Sequence, residues 1–314
     1  MKYLITGCHG FVGKYMIDYI KNGESDSEIF GLDIIDKPDD LLNLSQYYKV
    51  NLLEKDKIQE ILSAIQPDYI IHLASFSSVG YSWNFPKESF INNTNIFLNL
   101  IETIRTLIPK CKILSIGSSE EYGNVSNDNI PITESCPLNP ISPYAVARVS
   151  QEHLSMVYFK GYNINIVCTR SFNHIGPGQS DKFVISSIIK KMCEIKKFNK
   201  NELWVGNIDI IRDFLDVRDV VRAYYLLLKN GKSGEVYNIC SGKGYSIRQI
   251  IDFVKEILNI NFEIKVDPNI LRPTENKIVI GSNEKINKEI GWIPTYNIET
   301  TLNDVITYWY NNIK

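Results

Sequence analysis

Runs of basic residues are missing from this 314-residue chain. Its 34 Lys and Arg face 36 Asp and Glu, for a formal net charge of −2. No stretch concentrates positive charge as a nucleic-acid or membrane-surface footprint requires, so neither nucleic acid nor membrane is expected as a partner. Cysteine is sparse. The six residues, at positions 8, 111, 136, 168, 193 and 240, form no Cys-x-x-Cys pair. That usage fits small buried hydrophobes in a reducing compartment rather than disulfides or zinc ligands, and no metal site is expected. No apolar run approaches the ~18 residues that read as a membrane span. The first residues run straight into an apolar strand pattern, without the charged and hydrophobic regions of a secretory signal. The expected location is cytoplasmic. Internal repeats, low-complexity segments and an obvious linker are also lacking. What remains is an ordinary globular composition, 44% hydrophobic, with enough chain for one large domain or two modest ones.

Short apolar runs alternate with longer helix-period stretches through the first half. "KYLIT" (2–6), "EIFGLD" (28–33), "DYIIHLA" (68–74), "KILSIG" (112–117) and "NINIVCTR" (163–170) read as buried strands bounded by turn residues. Between them, Val12–Lys21, Lys55–Ile65, Pro86–Leu107 and Pro143–Phe159 carry helical spacing. Such alternation predicts a doubly wound parallel sheet with helices on both faces. Beyond residue 170 the pattern loosens into a Gly/Pro turn ("HIGPGQ"), a helix over Phe183–Ile195, "RDFLDVRDVVRAYYLLL" and a last β/α segment. The expected organisation is a Rossmann-type domain from 1–171 and 209–241, with a smaller, mainly C-terminal α/β lobe from 172–208 and 242–314 that takes substrate.

"YLITGCHGFVGKYM" places Gly7, Gly10 and Gly13 after the first strand and at the start of the first helix, with Phe11 and Val12 between them. Glycine permits the tight turn and lets backbone amides approach a pyrophosphate at the helix N-terminus. A glycine triplet alone is weak, because a nucleotide-free α/β protein can carry the same turn. Here Asp33 ends the second strand about 20 residues further on. A carboxylate there accepts hydrogen bonds from ribose hydroxyls and repels a 2′-phosphate, which favours NAD(H) while leaving NADP(H) possible.

Ligands in such sheets bind at the C-terminal ends of strands. Ser118, in "SIGSSEEYG", is expected just past the end of the fourth of these runs, and Tyr144, in "SPYAVAR", at the opening of the next helix. Arg148 follows Tyr144 by four residues, one helical turn, so the two share a face. A lone phenol titrates near ~10 and exchanges protons poorly at neutral pH; a fixed positive charge beside it favours the phenolate. A serine hydroxyl that polarises a carbonyl, a tyrosine that protonates it and a nicotinamide that supplies hydride would together make a reductase site. Taken singly, Ser118 reads as a turn serine and Tyr144 as a packing aromatic.

With these residues in view, the chain resembles the extended short-chain dehydrogenases/reductases of the nucleotide-sugar branch. The resemblance runs through "TGCHGFVGKY", "HLAS", "SSEEYG", "SPYAVAR", "RSFNHIGPGQ", "RDFLDVRDV", "VYNICSG" and "LRPTE…GW.P", in the order that family uses. The later motifs resemble members acting on GDP-linked hexoses, the 4-keto-6-deoxymannose reductases most and the GDP-mannose 4,6-dehydratases next. The resemblance implies Ser118, Tyr144 and Arg148 at the catalytic Ser–Tyr–Lys positions. It implies cofactor contacts from Gly7, Gly10, Phe11, Val12, Gly13, Asp33, Asn51, Leu52, Leu73, Ala74 and Asn93, and from Tyr144 and Arg148 themselves, with His72 in a cofactor-side segment. Ser77, Ser118, Glu120, Asn173, Val184, Arg212, Arg272 and Glu275 are implied on the substrate side. His174 stands between a substrate contact and a structural histidine.

Two departures stand out. Arg148 replaces the family's usual lysine; it keeps charge and donors but is planar and never deprotonates. Asn51-Leu52 stands where many relatives carry an Asp near the adenine amine. The implied reaction is NAD(P)H-dependent reduction of a GDP-linked 4-keto-6-deoxy sugar. The alternatives are a 4,6-dehydratase using Glu120 as an added acid/base, and a non-catalytic nucleotide-sugar or NAD sensor; an epimerase fits the later motifs less well. The helices over Pro86–Leu107 and Pro143–Phe159 match those that related enzymes use to form a homodimer.

Overall fold

Residues 1–39, 41–268 and 276–313 are described by the computed structural model. The first half alternates strand and helix: β1 (Lys2–Thr6), α1 (Phe11–Gly23), β2 (Glu28–Asp33), β3 (Gln46–Lys49), α2 (Lys55–Ile65), β4 (Tyr69–His72), α3 (Val79–Asn84), α4 (Pro86–Leu107), β5 (Lys112–Ser118), α5 (Pro143–Tyr162) and β6 (Ile166–Ser171). These six strands and β10 (Val236–Ile239) form a seven-stranded sheet in the order β10-β6-β5-β4-β1-β2-β3. Every adjacent pair in it is parallel.

Both faces of that sheet are covered, for a reason visible in β1. Successive side chains on a strand point to opposite faces. Tyr3 and Ile5 pack with Met16, Ile17 and Leu227, while Leu4 packs with Ile58, Leu62, Phe97 and Leu100. A strand whose consecutive central residues, Tyr3, Leu4 and Ile5, are all apolar and buried therefore demands helices above and below, and the chain is doubly wound.

Helices α2 and α4 have the ends expected from periodicity. Helix α5 runs on to Tyr162 and is capped by Asn163 at φ 55. That left-handed residue cannot also begin an extended strand, so β6 starts at Ile166 rather than at 163. Strand β3 escapes the sequence pattern because "QYYK" lies half-exposed at the sheet edge and carries no apolar run.

The remaining elements are β7 (Asn173–Ile175), α6 (Val184–Phe198), β8 (Glu202–Val205), β9 (Ile211–Asp216), α7 (Val217–Asn230), β11 (Gly244–Ser246), α8 (Ile247–Leu258), β12 (Glu263–Val266), β13 (Ile278–Val279), α9 (Glu284–Ile290) and α10 (Ile298–Asn312). Strand β9 is the hub of a small mixed sheet with β7, β11 and β13, and β8 pairs with β12. A third core, with Ile189, Met192, Ile250, Val254 and Leu302, joins α6, α8 and α10. Ile286 of α9 and Trp292 beyond it instead pack into the α1/α7 layer. The Trp292 indole donates to the Asp219 carbonyl (3.2 Å), and the Asp219 carboxylate accepts from Thr295 and Tyr296 amides (both 2.8 Å).

Candidate active site

The chain moves one way across the sheet from β1 to β3, then returns to place β4 on the other side of β1. Loops at such a reversal diverge and leave a crevice at the strand C-termini. Here it is a cavity of about 1330 Å³ walled by the loops after β1, β2, β3, β4 and β5 and by residues between 171 and 212.

The loop after β1 is packed too tightly for side chains. A Cβ on Gly7, whose φ is +67, would lie 2.8 Å from the Ala74 amide, and one on Gly13 2.5 Å from the Cys8 carbonyl. Gly10 is the N-cap of α1 and offers no side-chain cap. The first amides of the helix are thus left for another acceptor at the cavity wall. Phe11 and Val12 also line the cavity. Asp33 ends β2 there; its carboxylate accepts from the His9 amide (3.0 Å) and the Ile34 amide (2.8 Å). Asn51 and Leu52 are on the wall, but the Asn51 amide oxygen already accepts from the Leu53 amide (3.0 Å).

Leu73, Ala74 and Ser77 line the cavity after β4. Asn93 stands behind that loop: buried, it accepts from the Phe76 amide (2.8 Å) and donates to the Phe76 carbonyl (3.2 Å), and is not on the wall. His72 is also buried, with Nδ1 2.9 Å from Thr6 Oγ1. Burial, then the charge of Arg148, push its pKa down to about 3, which favours the neutral ring.

Ser118 closes β5 rather than lying past it, and borders the cavity with Glu120. Its backbone is held from beneath. Glu121 accepts from the Ser118 amide at 2.6 Å, while Ser118 Oγ accepts from the Glu120 amide at 3.2 Å. Glu121 is wholly buried, and burial, reinforced by the Glu152 carboxylate, pushes its pKa up to about 8.

Tyr144 and Arg148 come from the first turns of α5, whose start is set by Ser142 as N-cap and Pro143 behind it. Both are buried and both reach the cavity. Arg148 Nε donates to the Tyr144 hydroxyl at 3.2 Å. Its other donors go to the Ile116 carbonyl (3.0 Å), Gln151 Oε1 (2.7 Å) and Ser75 Oγ.

Asn173, Val184 and Arg212 also line the cavity, with Arg212 donating to the Ile211 carbonyl (2.9 Å). His174 stacks on Phe11 at 6.2 Å and sits 3.2 Å from the Phe172 carbonyl, and burial lowers its pKa. Arg272 and Glu275 lie outside the described residues. The catalytic candidates and most binding candidates therefore converge on one cavity. Sequence reasoning missed Gln151, Ser75 and Glu121. Gln151 could have been found from its i,i+3 spacing to Arg148, and Glu121 from the capping-box spacing Ser118-x-x-Glu121; nothing local marks Ser75 as a partner of the site.

The family model for GDP-mannose 4,6 dehydratase matches residues 4–305. The GDP-6-deoxy-D-mannose reductase of Pseudomonas aeruginosa is 33% identical over 311 residues, covering 99% of this chain and 97% of that protein. A GDP-mannose 4,6-dehydratase of Vibrio cholerae is 26% identical, covering 96% and 92% of the two chains. The solved structure of RMD from Pseudomonas aeruginosa complexed with NADPH superimposes with a TM-score of 0.88 at 32% identity, over 99% of each chain. With the glycine cradle, the Ser–Tyr–Arg cluster and near-complete coverage together, the chain belongs to the GDP-mannose 4,6 dehydratase family of extended short-chain dehydrogenases/reductases.

Proposed function

We propose that this protein reduces a GDP-linked 4-keto-6-deoxy hexose at carbon 4, with Tyr144 as proton donor. The observation that carries the reading is the Tyr144 hydroxyl, 3.2 Å from a buried guanidinium, lining the same cavity as Ser118. The named activity of the Pseudomonas aeruginosa relative supports it.

The residues present fit a nicotinamide dinucleotide. The Gly7–Gly13 turn approaches Ala74 and Cys8 so closely that side chains are excluded, which leaves backbone amides to hold a diphosphate. Asp33 would hold the adenosine ribose, and Leu73, Ala74, Tyr144 and Arg148 would border the remainder. When bound, the cofactor supplies hydride to the sugar carbonyl carbon. Ser118 would orient the carbonyl oxygen by hydrogen bond, and Tyr144 would pass its hydroxyl proton to that oxygen as the alkoxide forms. Arg148 stabilises the negative charge left on the phenolic oxygen. Because a guanidinium keeps its protons, the proton returns to Tyr144 from the cavity side. Arg212 and Asn173, which line the same cavity, would meet the GDP portion; an arginine fork suits diphosphate oxygens. NAD(H) is favoured by the Asp33 carboxylate, although the Pseudomonas aeruginosa structure contains NADPH, so both cofactors belong in the assay.

One observation keeps a second reading in view. Glu120 borders the cavity two residues from Ser118, where it could serve the added acid/base step of a 4,6-dehydratase. The protein should be incubated with GDP-mannose alone, and separately with GDP-4-keto-6-deoxymannose plus NADH or NADPH. Keto-sugar consumption with equal loss of reduced cofactor, abolished by Tyr144→Phe, is the expected result. Keto sugar formed from GDP-mannose alone would replace the reductase reading with the dehydratase.

We further infer a homodimer built on α4 and α5. Phe90, Ile91 and Leu98 on α4, and Val146 and Val157 on α5, are all exposed, and the two helices pack side by side. Such an apolar stripe fits a four-helix interface with a second copy. The six free thiols fit a reducing, cytoplasmic setting.

A further inference from the structure

Arginine at position 148 fits a socket that reaches well beyond Tyr144. Its guanidinium has five N–H donors, and four are directed into the protein. Nε meets the Tyr144 hydroxyl, one terminal nitrogen meets both the Ile116 carbonyl and Gln151 Oε1, and the other meets Ser75 Oγ. The acceptors surround the planar group from three elements: α5, the end of β5 and the loop after β4. An ammonium carries its three donors on one atom and cannot span them together.

Gln151 is the member of this set that does not touch the cavity. It is 1% exposed and one turn beyond Arg148 on α5. Its amide orientation is fixed, because Nε2 donates to Ser115 Oγ (2.9 Å) and the Ile116 carbonyl (3.2 Å), so Oε1 must face the guanidinium. Ser115 is held in turn by Ser155 Oγ at 3.3 Å. A buried polar chain thus runs from Ser155 through Ser115 and Gln151 to Arg148, and from there to the Tyr144 hydroxyl.

We propose that Gln151 is a positioning residue for the Tyr144–Arg148 pair, and that with Ser75 it makes position 148 specific for arginine. The effect on turnover rests on the reductase reading above; the socket itself does not. Losing Oε1 lets the guanidinium rotate off the phenolic oxygen, so the chemical step suffers while the GDP end of the cavity is untouched.

The test compares wild type with Gln151→Met, Arg148→Lys and the double variant, using two readouts. In 15N-arginine-labelled protein, the Arg148 Nε–H resonance, assigned by its loss in Arg148→Lys, should be slow to exchange. It should exchange at least tenfold faster in Gln151→Met, with the thermal midpoint and far-UV spectrum showing that the variant is folded. Ser75→Ala tests the other wall if Gln151→Met does not fold, with the same acceleration expected. In the keto-sugar assay, Gln151→Met should lower kcat by about 10- to 100-fold, as for loss of one charge-assisted hydrogen bond, with sugar KM within about twofold. The double variant should be no slower than Arg148→Lys, since Gln151 acts only through the guanidinium. Unchanged Nε–H exchange in Gln151→Met, wild-type turnover in Arg148→Lys, or additive losses in the double variant would each overturn the proposal. If wild type reduces no keto sugar, the reductase reading fails, and the exchange measurement still decides the socket.

Discussion

Arg170→Met removes the cation that holds α5 against β6. In the native protein the Arg170 guanidinium forks onto Glu152, Nε to Oε2 at 2.8 Å and a terminal nitrogen to Oε1 at 2.7 Å. Its remaining nitrogen donates to the Tyr122 hydroxyl and the Glu134 carbonyl, both at 3.0 Å. Each side chain of the ion pair is only 7% exposed. Removing one partner strands the Glu152 carboxylate in the interior, a change that costs about 3–5 kcal/mol. Glu121 adds to the penalty, since its already raised pKa reflects burial and Glu152, opposed by Arg170. A carboxyl whose folded pKa lies above its unfolded value binds its proton more tightly when folded. Its stability contribution is therefore full below the unfolded value of 4.5 and falls as pH rises through about 8. The loss in Arg170→Met should accordingly be larger at pH 8 than at pH 5.5, where Glu121 keeps its proton and adds no second buried charge. Urea unfolding at both pH values reads the difference. Replacing both partners, as Arg170→Met/Glu152→Leu, should recover at least half of the single-variant loss, because the stranded Glu152 carboxylate is removed with its partner. A single variant within about 1 kcal/mol of wild type at pH 8, or a double variant as unstable as the single, would refute the account.

Gly13→Ala should impair both folding and cofactor binding, because its Cβ would sit 2.5 Å from the Cys8 carbonyl and 2.7 Å from the Gly7 carbonyl; an overpacking cost of about 1–3 kcal/mol and at least tenfold weaker NADH binding by fluorescence titration are expected, and an unchanged affinity would argue against the cradle. Leu98→Glu with Val157→Glu places charge on the exposed stripe of α4 and α5; sedimentation should show a dimer for wild type and a monomer for the variant, and an unchanged mass would place the interface elsewhere.

Much of this molecule is local and was therefore legible in order along the chain. The glycine spacing after an apolar strand, the carboxylate at Asp33 and the one-turn interval between Tyr144 and Arg148 depend on residues close in sequence. Their geometry follows from strand and helix periods. The ends of α2 and α4 follow from the same periodicity. Arg272 and Glu275, implied by resemblance, lie outside the described residues. Tertiary structure decided what the local rules leave open. Asn93, expected at the cofactor, turns its amide onto Phe76; Ser75 meets Arg148 across 73 residues of chain. Glu121 lies three residues from the Ser118 amide it holds, yet its burial is set by β6 and α5 folding over it, with Glu152 and Arg170 beside it. A sequence can mark a residue as able to accept or donate a proton. Which partner it finds, and how dry that meeting place is, depends on segments brought together by the burial of apolar surface elsewhere.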